Sequence, residues 1–287
     1  MKEAKGSLAW LLLLALGFTW GSSFMLMKQG LLLFSSVQIA CLRIFLSWLV
    51  LFPYVLYNFK RIPWNRWWMF LIAGMLGNGI PSFMFPIAQT HLDSSLVGML
   101  NSIMPLLTLL FGGLFFGMII NSKKVIGIVL GIIGVILLLA HKMNNSSDLS
   151  YASFVLIAST CYAINTNFLK KKMGDIDAVM LTAVSFTFIG PPAGIQLLST
   201  DFISKMHTSQ AWAAFGLISI LAVFGTALAV IVFNYLVKVK SALFAASVTY
   251  IVPVFAILWG IVFQENIVPL QYVGMAVVLG GVYLVNS

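Results

Sequence analysis

The chain has 287 residues, of which 61% are hydrophobic and only 8% are charged, and its formal net charge is +9. One soluble domain could not bury this much apolar surface, so the composition excludes an ordinary soluble protein and predicts an outer surface that faces lipid. Both cysteines, Cys41 and Cys161, lie in apolar stretches, which argues against a disulfide framework and a thiolate metal site.

Ten apolar stretches follow one another along the chain, each bounded by charged or polar residues. A transmembrane helix needs about 20 mainly apolar residues. The first stretch follows Lys2 and Lys5 as in a signal peptide, but it is long enough to span the bilayer and no small-residue cleavage site follows it. We therefore predict an all-α integral membrane protein with ten transmembrane helices, at about residues 8–27, 37–58, 67–88, 94–118, 124–141, 150–169, 178–199, 211–236, 242–263 and 267–285.

Two segments, Ser94–Val135 and Ser241–Val282, repeat one pattern of proline and glycine residues at a shift of 147 to 148 residues. The matched residues are Pro105 and Pro253, Gly112 and Gly260, Gly127 and Gly274, and Gly134 and Gly281. Such a duplication divides the chain into two units of five helices, residues 1–146 and residues 147–287. Because five is odd, the second unit must enter the membrane from the opposite side, which predicts two inverted five-helix repeats.

Basic residues are divided unequally between the two sides that this topology predicts. With the N-terminus inside, the outer segments contain only three, Lys28, Lys142 and Lys205. The cytoplasmic segments contain twelve: Lys2, Lys5, Lys60, Arg61, Arg66, Lys123, Lys124, Lys170, Lys171, Lys172, Lys238 and Lys240. By the positive-inside rule, this predicts a protein of the cytoplasmic membrane with both termini in the cytoplasm. The net charge then reflects topology and anionic lipid, and nucleic acid is not an expected partner.

Several motifs occur together in this chain: Trp20-Gly21 with Lys28 in helix 1, Arg43 in helix 2, the segment Ser94–Pro105, and Pro253-Val254-Phe255-Ala256 followed by Gly260, Glu265 and Gly274. In combination they resemble the EamA family of the drug/metabolite transporter superfamily. The resemblance covers nearly the whole chain and implies a secondary carrier, in a family with many exporters of amino acids and other small metabolites. One departure is that the place equivalent to Glu265 in the first half holds Gly117 or Met118.

Prolines in helices 4 and 9 indicate where a solute could bind. Pro105 and Pro253 have no N–H, so each removes the helical partner of the carbonyl four residues earlier. A carrier needs such polar groups near the bilayer midplane. We therefore predict binding residues at the interface of the repeats: Asn101, Ser102, Thr249 and Tyr250. The alternative is that both prolines only bend their helices, with Ser and Thr hydroxyls satisfying the carbonyls.

Helices 3 and 7 contain further helix-breaking residues. Helix 3 contains Asn78-Gly79-Ile80-Pro81 and helix 7 contains Pro191-Pro192. We assign Asn78 to the solute pathway and predict hinges for alternating access at Gly79, Pro81, Pro105, Pro191 and Pro253. The alternative is a purely structural kink, because proline and glycine are generally frequent in membrane helices.

Arg43 lies about two turns inside helix 2, where burying a guanidinium costs on the order of 2.5–3.5 kcal/mol. One interpretation is a cation that binds a carboxylate or another anionic group of the solute. The alternative is snorkelling to the headgroups or a hydrogen bond to nearby backbone. Trp20 is a candidate wall for an apolar part of the solute, with helix packing as its alternative role.

Carboxylates are absent from the predicted spans, which disfavours proton-coupled export of cationic drugs and favours a neutral, zwitterionic or anionic solute. The histidines have no metal-ligand spacing, there is no P-loop, and no cofactor or metal is expected. We predict a secondary transporter, an exporter or facilitator, that moves a small polar metabolite such as an amino acid by alternating access. The alternatives are a non-transporting membrane scaffold and, with less support, an intramembrane enzyme. A monomer and a homodimer both fit.

Overall fold

The computed structural model describes residues 6–140 and 146–286. In these ranges nine helices are long and apolar enough to cross a membrane: α1 (Ser7–Gly30), α2 (Ser36–Arg61), α3 (Trp64–Gln89), α4 (Ser94–Phe116), α5 (Ser122–Leu139), α6 (Asp148–Lys172), α7 (Ala178–Leu198), α8 (Ser209–Val239) and α9 (Ala242–Val262). The tenth predicted span is a shorter apolar helix, α10 (Pro269–Val285), which begins at a proline because proline suits the first helical turn. The all-helical, multi-pass membrane fold is thus confirmed.

The predicted cytoplasmic residues Lys2 and Lys5, and the predicted outer residues His141 and Lys142, lie outside the described residues.

The surface of the bundle is apolar where it faces outward. Leu11, Phe115, Ile195 and Tyr283, from four different helices, expose between 62% and 72% of their surface. Most buried polar side chains, among them Asn78, instead lie inside the bundle. So many large exposed apolar side chains are unlike the surface of a soluble protein and match a hydrocarbon surrounding.

Helices of the first half pack against helices of the second half. α2 packs along α7, α5 along α10, α1 against α9, and α4 against α6. In the α5–α10 pair, a Cβ atom on Gly127 would lie 2.5 Å from the Gly281 carbonyl oxygen, and one on Gly134 would lie 2.8 Å from the Gly274 carbonyl oxygen. Since rising residue numbers on α5 meet falling numbers on α10, these two helices are antiparallel and are in backbone contact.

Turns of other helical types interrupt the α-helices at matching places in the two halves. α3 and α8 each contain a π-helical segment, and α4 and α9 each contain a 3₁₀ turn: Met75–Gly79, Leu221–Leu228, Asn101–Ile103 and Ser247–Tyr250. π-Helical turns are rare and occur often at functional sites. All four of these helices therefore change their geometry within the bundle, and in α3, α4 and α9 they do so beside the glycine and proline residues at which kinks or hinges were predicted.

One end of the bundle, which we call the basic end, comprises segments 59–66, 117–121, 173–177 and 239–241. Arg66 donates to both carboxylate oxygens of Asp175, at 2.5 and 3.2 Å, and its guanidinium holds the pKa of that carboxyl below its usual range. Ten of the described Lys and Arg residues lie in or beside these segments: Lys60, Arg61, Arg66, Lys123, Lys124, Lys170, Lys171, Lys172, Lys238 and Lys240.

The opposite end comprises segments 31–35, 90–93, 199–208 and 263–268, and Lys28 and Lys205 lie there. Glu265 accepts hydrogen bonds from the Ser94 amide at 2.8 Å, the Ser94 hydroxyl at 2.5 Å and the Ser95 amide at 2.9 Å. Its carboxylate therefore caps the N-terminus of α4, where a negative charge is favourable.

Candidate substrate cavity

A cavity that is partly open to solvent lies between the two halves. Side chains from α1 to α4 and from α6 to α8 line it. Its polar lining includes Ser23, Arg43, Asn78, Asn101, Asn165, Thr166, Thr182, Ser185, Thr226 and Asn234. The cavity therefore presents polar groups inside an apolar shell, as sites for small solutes do.

Arg43 is the one charged side chain among the lining residues that the structure describes. A capping box of Ser35 and Gln38 starts α2, which carries Arg43 two turns further into the bundle. Only 6% of Arg43 is exposed. Its Nη1 donates to the Met27 thioether at 3.1 Å, its Nη2 lies 3.4 Å from the Thr226 hydroxyl, and its Nε has no hydrogen-bond partner. The guanidinium is thus buried with weak partners and no facing carboxylate.

Other polar groups in the cavity are only partly satisfied. Asn101 accepts from the Ser159 hydroxyl at 3.2 Å, and Asn234 donates to the Thr182 hydroxyl at 2.9 Å. By contrast, the Asn165 Oδ1 and the Ser185 Oγ are buried without a hydrogen-bond partner. Because buried polar groups are normally paired, these two atoms are available to a solute or to water.

Aromatic rings form much of the apolar wall. Trp20 donates its indole N–H to the Gly225 carbonyl at 3.0 Å, and its ring lies 5.3 Å from that of Phe233. Phe85 lies between Phe24 and Tyr162, with ring centroids 5.5 and 5.9 Å away. These rings offer flat apolar surface to the body of a solute.

Of the seven predicted binding residues, four line the cavity and three do not. Trp20, Arg43, Asn78 and Asn101 are among the lining residues, and Ser102, Thr249 and Tyr250 are not.

The three residues outside the cavity lie in the 3₁₀ turns of α4 and α9. Thr249 is fully buried and donates to the Ala246 carbonyl at 2.9 Å, and the Tyr250 hydroxyl donates to the Val282 carbonyl of α10 at 3.0 Å. Ser102 is fully buried, and its hydroxyl has no partner. The three residues thus lie beside the cavity and not in its lining, although Asn101, in the same 3₁₀ turn as Ser102, does line it. Their role in binding stays a prediction.

The carbonyl of Asn101 also differs from expectation. Pro105 does remove its α-helical partner, but the Met104 amide donates to this carbonyl within the 3₁₀ turn. The prediction of an unpaired backbone acceptor there is therefore wrong, because a local change of helix type satisfies it.

The predicted hinge residues lie at or near helix interruptions. Gly79 ends the π-helical segment of α3, and Pro81 lies two residues later. Pro105 and Pro253 follow the 3₁₀ turns, whereas Pro191 lies within an uninterrupted α7. Their role as hinges stays a prediction.

The second-half residues of the lining were not predicted, although the repeat pattern relates some of them to first-half residues that were. Trp20, Ser23, Phe24, Met27 and Arg43 line the cavity, and so do the residues 142 positions later (162 − 20 = 142): Tyr162, Asn165, Thr166, Leu169 and Ser185. In α3 and α8 the shift is 148 (225 − 77 = 148), and it pairs Gly77 with Gly225, Asn78 with Thr226 and Phe85 with Phe233. The cavity is therefore built from equivalent positions. The position equivalent to the charged Arg43 holds the neutral Ser185, so the charge of the described lining comes from the first half alone.

The described lining contains no His, Cys, Asp or Glu side chain that could act as a general base or hold a metal. The arrangement can instead bind a polar solute reversibly, with one fixed positive charge as its strongest polar contact.

Comparison with known proteins matches both halves of the chain to one family. The model of the EamA-like transporter family fits residues 7–140 and, separately, residues 149–287. A crystal structure of a protein that is 16% identical has the same fold, with a TM-score of 0.67, over 98% of this chain and 96% of that one.

Two of the three similar sequences described next are named as transporters. The uncharacterized transporter YvbV of Bacillus subtilis (strain 168) is 24% identical, over 100% of this chain and 94% of its own length. The uncharacterized inner membrane transporter YedA of Escherichia coli (strain K12) is 25% identical, over 96% of this chain and 89% of its own length. A WAT1-related chloroplastic protein of Arabidopsis thaliana is 24% identical, over 97% of this chain and 69% of its own length.

Proposed function

Because the chain belongs to the EamA-like transporter family, we propose that it is a secondary transporter that moves a small polar metabolite, such as an amino acid, across the cytoplasmic membrane. It works by alternating access as an exporter or facilitator, with no covalent step. The proposed solute-binding residues are Trp20, Arg43, Asn78 and Asn101, together with Tyr162, Asn165, Ser185 and Thr226.

The observation that carries this proposal is the buried guanidinium of Arg43, which lines the cavity inside the bundle without a carboxylate partner. A charge in such a place is costly, and ionisable residues inside membranes commonly mark substrate pathways. A bound solute with an acidic group would supply the missing partner.

We also propose that residues 1–146 and 147–287 form two inverted repeats. The family model fits one range in each unit, and the non-α turns fall at matched places. In the antiparallel α5–α10 pair, Gly127 contacts Gly281, and their matched residues Gly274 and Gly134 contact each other in the same way. In this arrangement the cavity lies on the axis between the repeats, as in many carriers. Alternating access would move one unit against the other about Gly79, Pro81, Pro105, Pro191 and Pro253.

The basic end is proposed to face the cytoplasm, with both termini on that side, because ten described basic residues gather there. The name of YedA as an inner membrane transporter agrees with this location. The outer surface would then contact lipid directly, and the protein would act as a monomer or a homodimer, with no nucleic acid bound.

Two other functions are less well supported. A non-transporting membrane scaffold would leave the buried charge and the unpartnered polar groups without a purpose. An intramembrane enzyme would need a base or metal ligands, and the described lining residues offer neither.

Transport in reconstituted vesicles tests the proposal. Purified protein in liposomes should equilibrate at least one labelled solute from a panel of amino acids and organic acids, saturably and without chemical change, whereas protein-free liposomes should not. An enzyme would alter the solute. If no member of the panel moves across the membrane, the transport proposal is contradicted and a scaffold is favoured.

A further inference from the structure

We propose that the cavity selects solutes with a single negative charge, above all organic monocarboxylates, over neutral, zwitterionic and cationic solutes of the same shape. This inference rests on the proposed function, in that it takes the cavity to be the solute site. It goes further because it assigns the substrate class from the charge of the cavity.

Charge balance is the first argument. Arg43 is the one charged group among the described lining residues, and arginine stays protonated in proteins. A monoanion brings the net charge of the occupied cavity to zero, whereas a zwitterion leaves +1 and a cation makes +2. Uncompensated charge is unfavourable in a low-dielectric interior, so the monoanion gains most on binding.

The geometry around Arg43 is the second argument. A thioether is a weak acceptor, so the contact of Nη1 with Met27 at 3.1 Å leaves this donor poorly satisfied. Nη2 lies 3.4 Å from Thr226, and Nε has no partner. A carboxylate can accept two parallel N–H bonds from the guanidinium fork, which neither present partner can do.

The aromatic side chains that line the cavity indicate the shape and polarity of the rest of the solute. Trp20, Phe24, Phe85, Tyr162 and Phe233 present aromatic surface to the cavity. A flat, apolar body would pack against them. The matched probes are therefore 3-phenylpropanoate, its neutral amide 3-phenylpropanamide, zwitterionic phenylalanine and cationic 3-phenylpropylamine.

The test is binding of these four probes to the purified full chain, measured by thermal shift and titration calorimetry. We expect the carboxylate to bind at least about tenfold more tightly than the amide, with phenylalanine between them and the amine weakest. In Arg43→Gln this ratio should fall to about one, whereas Arg61→Gln, an exposed arginine at the basic end, should keep it. Arg43→Lys, which retains the charge but not the fork, should keep part of the preference.

Equal shifts with the carboxylate and the amide, including no shift with either, would overturn the inference, as would a preference that survives in Arg43→Gln. These outcomes are separable from a failure of the proposed function. Selective carboxylate binding without movement across vesicles would contradict transport alone, and transport without carboxylate selectivity would contradict the inference alone.

A second inference comes from two lysines at opposite ends of the bundle. Lys28 donates to the carbonyls of Gln89 and Leu92, both at 2.9 Å. Lys170 donates to the carbonyls of Lys238 and Lys240, at 2.9 and 2.8 Å. Each lysine ends the first helix of its half and binds the C-terminal end of the third helix.

These two contacts are equivalent by position. Lys170 follows Lys28 by 142 residues (170 − 28 = 142), the shift that also relates the cavity residues of α1 and α6. The bound carbonyls are 149 and 148 residues apart (238 − 89 and 240 − 92), close to the shift between α3 and α8. The Lys28 contact therefore lies at the end opposite to the basic end, and the Lys170 contact lies at the basic end.

The barriers between the cavity and the two ends differ. A smaller cavity shares Leu169, Leu181 and Asn234 with the main one and reaches Lys238 at the basic end. Toward the opposite end, the rings of Phe24 and Phe85 pack at 5.5 Å, and Gln89 donates to the Phe24 carbonyl at 2.9 Å. A smaller cavity thus continues from the main one toward the basic end, whereas packed aromatic rings lie toward the opposite end.

We infer that Lys28 and Lys170 are paired latches, one for each end, and that each breaks when its own end of the cavity opens. The inference rests on the proposed alternating access. A lysine that merely caps helix carbonyls would stabilise the fold without favouring the opening of either end of the cavity. Equivalent substitutions of two latches, by contrast, should bias the protein toward opposite states.

Labelling of a cavity cysteine tests this directly and needs no solute. Ser185→Cys, in a background with Cys41→Ala and Cys161→Ala, is exposed to a membrane-impermeant maleimide from either side of the membrane. Lys28→Met should increase labelling severalfold from one side and Lys170→Met from the other, with the larger increase for Lys170→Met. Lys171→Met is the control, because Lys171 binds the Phe116 carbonyl at 3.2 Å and not α8.

Labelling that rises from the same side in both variants, or changes in neither, would overturn the latch inference. The vesicle experiment is independent of it, since a transporter without latches would still move its solute.

Discussion

Transport should fall by about 100-fold or more in Arg43→Gln, because the substitution removes the positive member of the proposed buried pair between Arg43 and an anionic solute. Removing one member of such a pair costs about 3–5 kcal/mol, and each 1.4 kcal/mol corresponds to about tenfold in rate. The loss should appear in the initial rate of solute uptake by vesicles. Thermal stability should be unchanged or higher, since the variant removes a buried cation that has no carboxylate partner in the empty protein. Activity and stability would then move in opposite directions, as is common at functional sites.

Arg61→Gln is the matched control, because the same substitution is made at an exposed arginine of the basic end. It should transport at the wild-type rate. A structural role for Arg43 would instead lower the melting temperature of Arg43→Gln, and wild-type transport by a folded Arg43→Gln would remove the residue from the site.

Gly281→Ala and Gly280→Ala should change stability in opposite directions although the two glycines are neighbours on α10. A Cβ on Gly281 would lie 2.5 Å from the Gly127 carbonyl oxygen, so α5 and α10 must move apart. Overpacking of this kind costs about 1–3 kcal/mol. No atom lies within 4 Å of a Cβ on Gly280, so alanine there should gain up to about 1 kcal/mol from its higher helix propensity.

Thermal unfolding of the purified variants measures both effects, and size-exclusion chromatography shows whether Gly281→Ala remains monodisperse. If both substitutions shift the melting temperature alike, the close contact between α5 and α10 is not what holds this pair together.

The helices could be predicted closely from the sequence. Nine of the predicted spans agree with observed helices to within a few residues, and the family resemblance is confirmed by the match to both halves. These features depend on local properties, such as the length of an apolar stretch and the charges beside it. The π-helical segment Leu221–Leu228 was not predicted, because no proline follows it as Pro81 follows the one in α3.

The site was predicted less completely. Arg43 and Trp20 were found because a charge inside an apolar helix and a tryptophan beside a glycine are visible in one stretch of sequence. Thr249 and Tyr250 were placed in the cavity because of Pro253, but the 3₁₀ turn directs them to Ala246 and to α10. Tyr162 and Ser185 were missed, although the repeat shift connects them with residues already selected.

The sequence alone determined that the chain is a membrane protein, about where its helices begin and end, and which end is basic, and it predicted that the second half repeats the first. Each of these follows from apolar length, from charge and from a pattern within the chain. Only the tertiary structure decided which polar side chains face one another. Which side chains meet depends on which face of each helix is buried. Contacts between distant residues, such as Gly127 with Gly281, and turns of other helical types within the helices determine those faces. A local sequence pattern contains no information on contacts between residues so far apart in the chain.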